Sequence, residues 1–114
     1  MSELDLGELR EYLHRFAADR DWEQFHSPKN LAMALAAEAG ELLEVFQWLT
    51  PDESAALTDD QRRAAADEIA DVLQYLVRLA DVLGVDLGVE VWRKLRENQE
   101  RYEAGEVRGS AGKR

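Results

Sequence analysis

SPKNLAMALAAEAGELLEVFQWLTP, residues 27–51, reads as one helix with its punctuation attached. Ser27 is a preferred N-cap, and Pro28 suits the first helical position because its missing N–H would be unpaired there anyway. Leu31, Leu35, Leu42, Val45 and Leu49 fall on one face at about 100° per residue. Thr50-Pro51 predicts the stop, since the residue before proline disfavours the helical region. Working outward, Leu6, Leu9, Leu13 and Phe16 predict a first helix ending near Arg20. Residues 51–57 read as a connection. Thr58 and Gln61 have capping-box spacing, and a third helix follows with Ile69, Val72, Leu73, Leu76, Leu79, Ala80 and Leu83 on its apolar side. Gly84 can close it. Asp86 predicts the cap of a fourth helix with Val89, Trp92 and Leu95 on its apolar side, fraying near Gly105. No strand alternation and no internal repeat stand out. The expected architecture is an all-α four-helix bundle over residues 1–105, with helices 2 and 3 at its centre and a mobile tail at 106–114.

Composition limits the chemistry. A length of 114 residues fits one domain. With no cysteine in the chain, disulfides, thiolate zinc sites and cysteine nucleophiles are excluded. No run of about 18 apolar residues occurs, and the first residues, Met1 to Asp5, are polar and acidic. The expectation is a cytoplasmic protein with neither membrane span nor secretory signal. A net charge of −10 offers no basic footprint for nucleic acid. So small a core makes oligomerisation an expectation.

The placement of acids says more than their total. Glu38 and Glu41 stand three apart on the second helix, Glu68 and Asp71 three apart on the third, so each pair shares a face. Glu38 falls inside the apolar stripe; Glu41 lies at its edge, in line with Asn30 and Trp48. Glu68, Asp71 and Tyr75 form a band flanking the Ile69/Val72/Leu76 face. Antiparallel packing of the two helices lets four carboxylates converge. Such a cluster is unfavourable alone, because the charges repel and lose water. An all-oxygen set suits a hard divalent ion such as Mg²⁺. Single ExxE or ExxD pairs are common on solvated helices, and Glu44, Asp67 and Asp81 read as surface acids. A glutamate inside an apolar stripe is harder to dismiss.

Glu38-Ala39-Gly40-Glu41, followed by Glu68-Ile69-Ala70-Asp71, resembles the ExxE…ExxD signature of MazG-like nucleotide pyrophosphohydrolases. The similarity runs from about residue 9 to residue 102. Trp22-Glu23-Gln24-Phe25-His26, Phe46-Gln47-Trp48 and Lys94…Asn98…Tyr102 are similar more narrowly to the dCTP pyrophosphatase branch. The resemblance implies cleavage between the α- and β-phosphates of a nucleoside triphosphate, giving a monophosphate and pyrophosphate, in the service of nucleotide-pool cleansing. It implies a homo-tetramer built as a dimer of dimers, with Mg²⁺ held by Glu38, Glu41, Glu68 and Asp71, and Mn²⁺ as a substitute. It places Trp22, His26, Asn30 and Trp48 around base and sugar, and Tyr75, Lys94, Asn98 and Tyr102 at sugar or phosphates. One position departs: Leu13, with His14 beside it, stands where that branch carries a histidine on its first helix.

Other readings compete. Lys94, Asn98 and Tyr102 share a helix face that could simply be solvated. Trp22 and Trp48 can stack on a base or fill a core. Trp92, Phe25 and Phe46 read as packing. Glu41 is the candidate for orienting the attacking water. Glu11-x-x-His14 and Glu23-x-x-His26 have the spacing of a di-iron bundle, but neither pair joins Glu38 or Glu68 in a helix. The same chemistry on another or a modified nucleotide is one alternative; a non-enzymatic helical interaction protein, which would use the acids only for solubility, is another.

Overall fold

A computed structural model describes residues 3–112. Met1 and Ser2, part of the segment read for a signal, and Lys113 and Arg114, the end of the expected tail, lie outside the described residues. Four long helices carry the structure: α1 (Leu6–Asp19), α2 (Pro28–Phe46), α4 (Asp59–Leu83) and α5 (Leu87–Arg101). Two short ones, α3 (Pro51–Ser54) and α6 (Ala104–Val107), and a 3₁₀ turn at Glu23–Phe25 complete the elements, with no strand among the described residues. None of these helices is long and apolar enough to cross a membrane. The chain divides into two compact units, one through Gly84 and one from Val85 onward.

In the first unit α4 is the central element, packed mainly against α2 and also against α1. The caps follow the sequence. Ser27 accepts from the Asn30 N–H, and Thr58 and Gln61 close a reciprocal capping box. Gly84 ends α4 at φ 70°, a left-handed backbone that suits glycine. The buried apolar side chains are Ala17, Leu31, Ala65, Val77 and Ala80. The core is thin, and Met33, Leu43, Trp48 and Ile69 remain exposed.

The end of α2 differs from expectation. Helix α2 ends at Phe46, not at Leu49, and Trp48 lies in the turn that follows. Residues 51–57 are not a plain connection, because Pro51 begins α3. Thr50 accepts from the Glu53 N–H while Glu53 returns a carboxylate to the Thr50 N–H, a complete capping box with proline at the first helical position.

In the second unit the Asp86 side chain caps α5 by accepting from the Val89 N–H at 3.1 Å. This helix ends at Arg101, short of Gly105, and α6 follows it.

Candidate active site

The packing of α2 against α4 brings Glu38, Glu41 and Glu68 together. One carboxylate oxygen from each lies within 4.8 Å of the others. Glu38 and Glu68 are half-buried and Glu41 is exposed. The Oε2 atoms of Glu38 and Glu68 are buried without a hydrogen-bond partner. A buried carboxylate oxygen lacking a donor is costly, so a proton or a cation must compensate it. Without a cation the proton wins. The Glu68 carboxyl is pushed up to about 7 by the hydrogen bond it can then share with Glu38, by burial, and by the nearby Glu41. Glu38 feels the same hydrogen bond in the opposite sense, but burial, Glu41 and Asp71 together raise it above the usual carboxylate range. The trio therefore fits a hard divalent cation: its donors are all oxygen, and two are orphaned.

Asp71 stands outside the trio and lines a neighbouring cavity with Glu38. The cavity encloses about 210 Å³ between Leu13, Phe16, Trp22, His26, Tyr75 and Arg78. Whole small-molecule sites commonly span roughly 300–1,000 Å³, so this volume suits one flat portion of a ligand. One wall is an aromatic series: Phe16 meets Trp22 edge-on at 5.7 Å, and Trp22 meets His26 at 6.4 Å. The turn after α1 sets that wall. The Trp22 N–H donates to the Ala17 carbonyl at 2.9 Å, while Gln24 Nε2 donates to the Asp21 carbonyl and carboxylate. Asp21 takes a left-handed φ of 53°, which aspartate tolerates better than most residues. Leu13 faces this cavity, whereas His14 is exposed, 3.8 Å from the Asp81 carboxylate.

The remaining candidates are placed elsewhere. The side-chain amide of Asn30 donates to the Phe25 carbonyl at 3.0 Å, tying the 3₁₀ turn to α2. Trp48 is 86% exposed and does not line the cavity. On α5, Lys94 Nζ lies 3.2 Å from Glu97, which also meets Arg93 and Arg101. Lys94 above all, helped by the two arginines, lowers the Glu97 carboxyl. Asn98 accepts from the Tyr102 N–H through its backbone carbonyl, and both residues are half-buried.

Arg78 was not among the sequence candidates. Its side chain is 8% exposed, and it bonds His26 at 3.1 Å and Asp81 at 3.3 Å. A signal for it existed: Glu68, Asp71, Tyr75 and Arg78 succeed one another at steps of three, four and three, which is one helix face.

The carboxylate trio carries a pH signature. The Glu68 pKa is about 7 folded against 4.5 ordinarily, so the folded state holds the proton more tightly. The stabilisation is complete below the unfolded value and disappears as pH rises through 7. His26 acts oppositely. Its pKa lies below the ordinary 6.5, through burial and then the Arg78 cation, partly offset by Glu23. Subtracting the melting curve of Glu68→Gln isolates the glutamate. In EDTA, the wild type is expected to lose melting temperature relative to that variant between pH 5 and pH 8. Calorimetry showing no relative loss would remove the shared proton.

Similarity to known proteins gives the family. The MazG-like family model matches residues 33–112. The bovine protein dCTP pyrophosphatase 1 is 47% identical over 98% of this chain and 68% of its own length. Its human counterpart is 46% identical over 95% of the chain and 65% of its own length. The chain thus spans about two thirds of the curated relatives it matches. A pyrophosphatase crystal structure from Archaeoglobus fulgidus superposes with a TM-score of 0.81 at 37% identity, covering 90% of this chain and 95% of that one. The chain belongs to the MazG-like family.

Proposed function

We propose that this protein hydrolyses a pyrimidine deoxynucleoside triphosphate, dCTP or a near relative, between its α- and β-phosphates, removing it from the nucleotide pool. The observation that carries the reading is the carboxylate trio, with its two orphaned oxygens, beside a small aromatic-walled cavity. The family and the names of its relatives supply the substrate class.

In this account Glu38 and Glu68, with Glu41 and Asp71 as the further ligands, would hold Mg²⁺, or Mn²⁺ in its place. Such an ion, when bound, would supply charge neutralisation at the phosphates and a lowered pKa for a water. Glu41, exposed at the edge of the trio, orients the attacking water and takes its proton on a carboxylate oxygen. Trp22 and Phe16 flank the base, with His26 and Tyr75 at the cavity wall. The role proposed for Asn30 and Trp48 is at base or sugar; that for Lys94, Asn98 and Tyr102 is at sugar or phosphates. Lys94 must exchange Glu97 for a phosphate to act so. A cytoplasmic homo-tetramer is part of the proposal, supported by the exposed Met33, Leu43, Trp48 and Ile69. Incubation with a panel of ribo- and deoxynucleoside triphosphates tests it. The expected result is monophosphate plus pyrophosphate from a pyrimidine deoxynucleotide with Mg²⁺, and none with EDTA. No turnover of any nucleotide by folded protein would favour a helical interaction protein.

A further inference from the structure

Arg78 is a charged side chain held almost out of water on the wall of the cavity. Its Nε–H donates to Nδ1 of His26 at 3.1 Å, and its Nη1–H donates to Asp81 at 3.3 Å. A guanidinium only donates, so the His26 nitrogen facing it must carry a lone pair. In a neutral ring the proton then sits on Nε2. Asp81 holds the guanidinium at a second nitrogen and is itself 3.8 Å from His14.

We propose that Arg78 is a positioning residue that locks His26 as the Nε2–H tautomer, so that the cavity presents a hydrogen-bond donor and selects a base carrying an acceptor there, a ring carbonyl or an unprotonated ring nitrogen. A donor on the cavity wall that faces a ligand N–H would be left unpaired, which is how polar sites reject wrong ligands. Burial and the Arg78 cation both disfavour the imidazolium, in keeping with a neutral ring. The inference deepens the assignment of the cavity to a base and rests on it for the ligand, but the tautomer is measurable without turnover.

The test is a long-range proton–nitrogen correlation spectrum of the nitrogen-labelled, metal-free protein near neutral pH. Loss of signals in His26→Gln distinguishes that ring from His14. The wild-type ring is expected as Nε2–H. Arg78→Met should give a mixture of tautomers and raise the KM for dCTP about tenfold with kcat nearly unchanged, the scale of one lost hydrogen bond. Arg78→Lys, which keeps a donor, should restore the Nε2–H form in part. A wild-type ring found as Nδ1–H or as imidazolium overturns the lock, even if Arg78→Met fails to fold. So does an Arg78→Met protein whose tautomer is unchanged, whatever its KM. If the tautomer is Nε2–H but no nucleotide is turned over, the lock stands and the pyrophosphohydrolase reading falls.

Discussion

Glu68→Gln is expected to reduce turnover on the order of 10³-fold, the scale for removing one group aimed at transition-state charge, while leaving the metal-free protein at least as stable as the wild type at pH 8. The two halves have one cause. Glu38 and Glu68 bring orphaned oxygens to a point that Glu41 also reaches. Without a cation this arrangement stores repulsion and lost hydration, and a neutral amide at position 68 relieves both. With a cation the same amide removes one ligand and one charge. A substitution in an ordinary solvated cluster would move neither quantity much. Steady-state kinetics with Mg²⁺ and calorimetry in EDTA read the two halves separately. Turnover within a few-fold of wild type would show that Glu68 holds nothing the reaction needs.

Leu31→Ala should cost about 2–5 kcal/mol of stability, the range for deleting a buried leucine side chain. Its effect belongs at the top of that range for a local reason. Among the described residues Leu31 and Val77 are the largest fully buried side chains, and the other buried apolar residues are alanines. Alanine has no rotamer with which to fill a void, so the first unit can close the gap only by moving helices. Leu31 also sits in the first turn of α2, where its N–H donates to the Ser27 carbonyl. Loosening this turn disturbs the Asn30–Phe25 tie and the cavity wall beside it. Chemical denaturation measures the loss; a change below about 1 kcal/mol would mean the core is larger than its buried residues suggest.

Much of this was legible because it is local. Ser27, Thr58 and Asp86 announce their helices within three residues, and Gly84 announces an end. Two spacings of three define faces that amphipathic α2 and α4 bury against each other, which brings Glu38, Glu41 and Glu68 together; Asp71, expected to converge with them, lines the neighbouring cavity instead. Helix α2 ends at Phe46, before the expected stop, and Thr50-Pro51 opens a new helix rather than only closing the old one. Thr50 to Glu53 has the same capping spacing that was recognised at Thr58 to Gln61, and it starts α3. Trp48 consequently left the helix face on which it was expected. Arg78 escaped notice because its partner His26 is 52 positions away. Helical spacing placed it on the right face, but only packing makes an arginine there buried.

The measurement that bears most directly on the central claim is hydrolysis of dCTP in heavy-oxygen water, with mass analysis of both products. Attack at the α-phosphorus puts the solvent oxygen into the nucleoside monophosphate and leaves pyrophosphate unlabelled, which is the result this account predicts. Label in pyrophosphate, or release of orthophosphate with a diphosphate, would place the attack elsewhere and contradict it.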